Sequence, residues 1–226
     1  MSNLRNTLDS TKLNYEVLAV VDGNEDGSFD ILNELQKKWD NLKILCHQIN
    51  MGKGASIKSG VIEASESTYL GYLDADLDID TNNLRILLDT LNSNVELDFV
   101  YGSKIHPESE VNYPLIRKIM SFGMRFLIRL LFNMTVKDTQ TGIKLGKTQK
   151  IRDSFLKVKN NRFNFDLELF ILLKLQDLKV KDCPVKLNYN FDSTIRFLTI
   201  KEMFIEVFEL RYRYRDILRN RQDATI

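Results

Sequence analysis

Short apolar runs alternate with helical patterns through the first half of the chain, and two of these runs stop abruptly at carboxylates. Such alternation predicts βαβ units and a mixed, mostly parallel sheet flanked by helices, an α/β fold. Tyr15 to Val21 reads as a buried strand ending at Asp22-Gly23, Ser28 to Trp39 as a helix, Leu42 to Cys46 as a strand and Lys53 to Ser65 as a second helix. Tyr69 to Leu73 is a third strand, followed by a helix near Asn83 to Leu91 and a strand from Asp98 to Gly102. The second half is more helical, with helices expected at Leu115 to Phe132, Phe165 to Leu178 and Ile200 to Arg219, and an extended stretch from Val180 to Tyr189.

The 226 residues suffice for one domain over residues 1–226 with a sizeable core. Lys and Arg total 32 against 31 Asp and Glu, so no basic field calls for nucleic acid, and none is expected as a partner. Cys46 and Cys183 each sit in an apolar pattern, the usage of reduced core thiols in a cytoplasmic setting. Met1 to Lys12 is polar and reads as no secretory signal, and no apolar run approaches the length of a bilayer span. The chain is expected to be soluble or to lie on a membrane surface.

Tyr69 to Leu73 runs straight into Asp74, Asp76 and Asp78, three acids at alternate positions. Alternate side chains of an extended segment share a face, so these carboxylates converge and repel unless a cation lies among them. Mg²⁺ or Mn²⁺ suits such oxygen ligands, and Mg²⁺ usually shares its shell with substrate phosphates. The competing reading is a helix start, because Asp78 to Asp80 precede the pattern at Asn83. In open parallel sheets ligands bind at the carboxyl edge of the strands, where both Asp22 and Asp74 fall. That coincidence favours the ligand.

Two glycine-bearing turns follow strands. In Asp22-Gly23-Asn24-Glu25-Asp26-Gly27-Ser28 the acid can accept hydrogen bonds from a base or ribose, and Gly23 and Gly27 allow close backbone approach, although Asp-Gly is also an ordinary turn signal. Asn50-Met51-Gly52-Lys53-Gly54-Ala55 opens a helix but lacks the upstream glycine and following Ser/Thr of a P-loop. Lys53 at a helix N-terminus opposes the dipole, a cost that a bound diphosphate would offset.

Taken in order, these two turns and Asp74-Ala75-Asp76 resemble the V-D-D-G-S-x-D-G-T, N-x-G-K-G-x-A and D-A-D strings of family 2 glycosyltransferases of the GT-A fold. Tyr101-Gly102-Ser103-Lys104 is similar to the family's G-S-R, and Arg117 with Ser121 to its R-x-x-x-S. Asp138-Thr139-Gln140-Thr141-Gly142-Ile143-Lys144 is similar to D-T-Q-C-G-F-K, Phe165-Asp166-Leu167-Glu168-Leu169 to F-D-V-E-L, and Pro184-Val185 to P-V. The D-T-Q-x-G-x-K string resembles the dolichyl-phosphate glucose and mannose synthases. The likeness runs from about Tyr15 to Arg215.

The resemblance implies inverting transfer from a UDP- or GDP-sugar to a polyprenyl phosphate. It places Asp22, Gly23, Lys53, Asp74 and Ala75 at the nucleotide sugar, and Asp74 and Asp76 on Mg²⁺ or Mn²⁺. Asp166 becomes the matched general base for a hydroxyl acceptor. A phosphate acceptor, with a second pKa of about 6, arrives as an oxyanion and needs cations instead. Arg117 and Lys144 are the expected clamp, with Asp138 and Gln140 shaping the acceptor loop. Arg117, Lys118, Arg125 and Arg129 share about one third of the Leu115 to Phe132 helix. The rest of that helix is apolar and would lie either in a membrane interface, peripheral on the cytosolic face, or against the sheet. The last helix adds Arg211, Arg213, Arg215, Arg219 and Arg221, which also offset its dipole.

Val21 and Asn24 depart from the family string, and nothing matches the family's opening strand ending in P-x-Y-N-E. Met1 to Ser10 corresponds to the helix after that strand. The domain is therefore expected to be N-terminally incomplete relative to the family, with unpaired edges on the two strands that would flank the missing one. This leaves a non-catalytic or truncated nucleotide-sugar-binding remnant as an alternative. A haloacid-dehalogenase-type phosphatase, whose nucleophile motif is also a strand followed by D-x-D, is another.

Overall fold

The computed structural model describes residues 1–75, 78–111, 115–134, 136–162, 164–187 and 197–223, apart from the side chains of 115–121, 197–203 and 219–223. Among the described residues six strands form two sheets. β1 (Val17–Asp22) and β2 (Leu42–His47) pair in parallel. β3 (Tyr69–Leu73), β4 (Phe99–Ser103), β5 (Ile143–Lys147) and β6 (Val180–Pro184) form the second sheet in the order β3-β5-β4-β6. There β4 and β6 are parallel and β5 is antiparallel to both of its neighbours, so β5 alone runs against the others. The expected α/β fold with a mostly parallel sheet is thus observed.

Eight helices surround these sheets among the described residues: α1 (Ser2–Ser10), α2 (Ser28–Gln36), α3 (Lys53–Glu63), α4 (Asn83–Ser93), α5 (Leu115–Phe132), α6 (Thr148–Lys157), α7 (Phe165–Leu175) and α8 (Phe197–Asp223). β5 begins inside the motif that the sequence reading took for a loop, and α6 lies where it assigned no element. The strand Ile-Lys-Leu-Gly-Lys nonetheless alternates as a two-faced strand should. Ile143 and Leu145 join Val100, Cys183 and Val185 against Leu87 and Leu91 of α4. The opposite face looks toward α6 and α7, where Phe99 and Tyr101 meet Phe155, Phe165 and Phe170 in the larger cluster. Tyr101 and Phe170 stack edge to face at 4.9 Å between centroids, the geometry that aromatic quadrupoles prefer. α7 is apolar almost all round and correspondingly buried, carrying Asp166 and Glu168 inside with it.

Among the described residues β1 pairs only with β2 and β3 only with β5, so each keeps one edge outside the ladders. Helices tie the two sheets together. A Cβ on Gly60 of α3 would touch Val20 of β1 at 3.6 Å, and Val61 on the same helix enters the cluster that includes Leu70 and Tyr72 of β3. α1 spans a similar gap, with Arg5 donating to the Lys38 carbonyl at 2.8 Å and Thr7 bonded to Thr81 at 2.8 Å.

Candidate active site

The parallel register places Asp22 opposite His47 at the carboxyl ends of β1 and β2. Asp22 Oδ1 lies 2.8 Å from His47 Nδ1, and His47 Nε2 lies 2.9 Å from Ser59 Oγ on α3. The same carboxylate accepts the backbone N–H of Met51 at 2.8 Å and of Gly52 at 2.7 Å. Burial works against its charge, but these donors outweigh it and hold the carboxyl below the usual range. Asp22 therefore fixes the loop that opens α3. Gly23 (φ +87°) and Gly52 (φ +95°) sit where other residues are strained, and a side chain on Gly52 would run into the Asn161 carbonyl. Asp22, Asn50, Met51, Gly52, Lys53 and Arg162 line a pocket of about 360 Å³. His47 and Arg162 escaped the sequence reading. His47 was legible as a strand-end residue, whereas Arg162 reaches the pocket only through tertiary packing of the 159–162 loop, where Gly54 N–H bonds the Asn161 carbonyl at 2.9 Å.

A charged cluster adjoins this pocket through Lys53. Its ammonium stands 2.7 Å from Asp74 Oδ2 and 3.3 Å from Asp166 Oδ2. Lys144 Nζ lies 2.8 Å from Asp166 Oδ1 and donates to the Thr141 carbonyl at 2.7 Å. The Tyr72 hydroxyl also donates to Asp166. Tyr72 and Lys144 are cross-strand partners, which puts both on the α7 side of the sheet. Asp166 is buried, yet Lys144, Lys53 and Tyr72 overcome that penalty and lower its pKa. For Lys53, burial opposes the charge but Asp166 and Asp74 win, and its pKa is raised. Burial, aided by the like charge of Asp166, outweighs Lys53 at Asp74 and raises that carboxyl.

Lys144 is fully buried, with 0% of its side chain exposed. Its ammonium, expected on an acceptor clamp, is here committed to Asp166 and to the Thr141 carbonyl in the interior. The Arg117 side chain and Asp76 lie outside the described residues. Ala75 is exposed just past the end of β3. Asp138 is buried and accepts Lys104 N–H at 3.0 Å, Gln140 N–H at 3.1 Å and the Thr141 hydroxyl at 2.7 Å. Burial raises its pKa, but the Lys104 charge and these donors lower it overall. It ties the loop ahead of β5 to the end of β4. Gly142 belongs to that loop because a Cβ there would collide with the Asp74 carboxylate.

Among the described residues no group of three His, Cys, Asp or Glu side chains is placed to hold a metal. The Asp74 carboxylate nevertheless suits a hard divalent cation, since it is an oxygen donor that already holds a cationic group. No described helix is long and apolar enough to cross a membrane. α5 has two apolar faces. Ile128 and Phe132 are buried in the core, while Phe122, Phe126 and Leu130, spaced four apart, point outward beside Arg125 and Arg129. α8 repeats the pattern with Val207, Leu210 and Tyr214 inside and Phe208 and Tyr212 outside. Of its basic residues, Arg213 is spent on buried Glu168 at 2.9 Å, and Arg215 stacks on Tyr212.

The chain is 29% identical over 206 residues to a dolichyl-phosphate beta-glucosyltransferase (ALG5D) of Trichomonas vaginalis, covering 89% of this chain and 63% of that protein. It is 25% identical to the dolichyl-phosphate beta-glucosyltransferase of Dictyostelium discoideum over 90% of this chain and 64% of that one. The chain thus spans a little under two thirds of the length of these curated relatives. The crystal structure of glucosyl-3-phosphoglycerate synthase from Mycobacterium tuberculosis with Mn²⁺, UDP and phosphoglyceric acid shares the fold. Its TM-score is 0.63 at 12% identity, over 92% of this chain and 74% of that one. The glycosyl transferase family 2 profile matches residues 2–155, more than half of the sequence, and this sets the dehalogenase-type phosphatase aside. Strand-end acids, the glycine-bearing loop before α3 and the matched profile agree: the chain belongs to glycosyl transferase family 2.

Proposed function

We propose that this chain transfers a sugar, with inversion, from a UDP- or GDP-sugar to a polyprenyl phosphate of the dolichyl type at the cytosolic surface of a membrane. The observation that carries this reading is the pocket at the strand ends, bordered by Asp22, Gly52 and Lys53, which shares Lys53 with the Asp74–Lys53–Asp166 cluster. The names of the relatives support the acceptor, and a related fold crystallised with UDP and Mn²⁺ supports the donor and the metal.

Asp22 and Gly23 shape the nucleoside side of the pocket, and Lys53 with the N-terminus of α3 faces the diphosphate, where helix N–H groups and the dipole favour an anion. Asp74, together with Asp76 as the sequence suggests, would hold Mg²⁺ or Mn²⁺, which as a Lewis acid stabilises the charge developing on the leaving nucleotide. Asp166 argues for the acceptor class. A carboxylate covered by two ammonium groups and a phenol, with its pKa pulled down, is a poor proton acceptor. A hydroxyl acceptor would need that base, whereas a phosphate monoester is already ionised near neutral pH. Asp166 then serves to fix Lys53 and Lys144, and Asp138 with Gln140 shapes the acceptor loop. The outward aromatic stripes of α5 and α8 beside Arg125 and Arg129 suit a lipid surface with anionic headgroups.

The test presents a panel of UDP- and GDP-sugars with vesicles holding either a polyprenyl phosphate or the matching free polyprenol. Transfer to the phosphate, dependent on Mn²⁺ or Mg²⁺, is expected. Transfer to the alcohol alone would overturn the acceptor reading, and nucleotide binding without transfer would mark a remnant.

A further inference from the structure

Lys53 serves two neighbours at once: it lines the nucleotide pocket and bridges the carboxylates of Asp74 and Asp166. We propose that Lys53 is a resident counter-ion which a divalent metal must displace from Asp74, so that metal and diphosphate enter the site as a pair rather than singly. This inference rests on the reading of the site as one for a metal-assisted nucleotide sugar.

The argument is one of charge and reach. Lys53 and Lys144 face Asp74 and Asp166 within hydrogen-bonded contact, so among the described residues two cations stand against two anions. Most of it is removed from water: Lys144 and Asp166 are essentially unexposed, and only about a quarter of the Lys53 and Asp74 side chains is exposed. A divalent ion arriving alone at Asp74 would meet the Lys53 ammonium and, even with the Asp76 carboxylate that the sequence sets beside it, would leave uncompensated positive charge in a largely buried cluster. A diphosphate arriving with it brings the matching negative charge and offers Lys53 another partner. Lys53 is the first residue of α3, flanked by Gly52 and Gly54, so its flexible four-carbon stem starts where an anion would dock on the helix N-terminus. Lys144 cannot play this part, because it is held by Asp166 and the Thr141 carbonyl in the interior. Binding of the two ligands is then coupled, and by linkage each raises the affinity of the other by the same factor.

The experiment titrates Mn²⁺ into the protein with and without UDP, reading free Mn²⁺ by electron paramagnetic resonance and UDP by calorimetry. In the unaltered protein Mn²⁺ alone should bind at least about tenfold more weakly than Mn²⁺ with UDP, inside the usual range for coupled sites. Lys53→Met should bind Mn²⁺ alone at least about tenfold more tightly than the unaltered protein and lose most of the coupling. Lys53→Arg, which keeps the charge, should still exclude Mn²⁺ alone. Equal Mn²⁺ affinity with and without UDP in the unaltered protein overturns the proposal, and this arm needs no variant to fold. An unchanged Mn²⁺-alone affinity in a folded Lys53→Met also overturns it while leaving the nucleotide-sugar reading intact. Absence of any UDP binding, with or without Mn²⁺, overturns that reading and the inference with it.

Discussion

Replacing Lys144 by Met is the sharpest probe of the buried cluster. The substitution keeps much of the side-chain volume and deletes one charge at a site with no exposed surface, leaving Asp166 Oδ1 with the Tyr72 hydroxyl and Oδ2 with Lys53 at 3.3 Å. Breaking a buried ion pair by removing one partner costs roughly 3–5 kcal/mol, because the other charge stays buried. Lys53 offsets part of that loss, so the lower end, about 3 kcal/mol, is expected. For a chain of this size that corresponds to a fall in Tm of roughly 6–12 °C. Asp166 has a folded-state pKa below its unfolded one, so its share of stability is complete above about pH 4 and is lost as pH falls through the folded value. Without Lys144 the folded value rises, and acid unfolding should begin at higher pH. Thermal melts followed by circular dichroism from pH 3 to pH 7 for the unaltered protein, Lys144→Met, Asp166→Asn and the double variant give both quantities. The double variant should cost less than the sum of the singles by roughly 0.5–3 kcal/mol. Additive costs, or a Lys144→Met protein as stable as its parent at neutral pH, would refute the buried pair.

Gly142→Ala should push a methyl group into the Asp74 carboxylate, lowering stability by about 1–3 kcal/mol and weakening metal-dependent UDP binding, as read by calorimetry. Glu168→Gln leaves Lys159 N–H, Asn160 N–H, Arg213 and Tyr214 competing for one remaining acceptor oxygen. A loss of roughly 1–3 kcal/mol in urea unfolding is expected, with faster hydrogen exchange in both α8 and the 159–162 loop. Phe126→Ser with Tyr212→Ser should lower affinity for anionic vesicles by about tenfold or more in a flotation assay, because each aromatic loses roughly 1.5–3 kcal/mol of apolar transfer. Both residues are exposed, so the melting curve should shift little, within the roughly ±0.5 kcal/mol of ordinary surface changes. Asp138, whose pKa is lowered by Lys104 and by the donors of its own loop, stabilises the fold above its unfolded pKa and loses that contribution on acidification, and Asp138→Asn should flatten that part of the acid limb in a pH-dependent melt.

The strands that end at Asp22 and Asp74 were legible because period, length and terminal acid agree there. The glycine-bearing loop before α3 was legible from its spacing, and Gly52 and Gly142 prove to be required by close approaches at Asn161 and Asp74. β5 was missed because Asp138 to Lys144 reads as a polar turn motif that hides the alternation of Ile143, Lys144 and Leu145. The burial of Lys144 was not legible at all. The sequence sets this lysine on an acceptor clamp, and only the register opposite Tyr72 and the arrival of Asp166 from α7 place it inside. Arg162 lines the pocket because the 159–162 loop packs on Gly52 and Gly54, a contact between segments more than a hundred residues apart in sequence. On α5 the packing alternative accounts for one apolar face, which joins the core, while a second points outward.

Asp22 comes from one sheet, Asp74 from the other, and Lys53 from the helix that rests on both. On the proposed reading, a nucleotide sugar lodged between them would work as a keystone, joining two leaves that, among the described residues, no strand ladder stitches together. Its grip should therefore be felt as stiffening across the whole join, and the free protein should breathe first along that line.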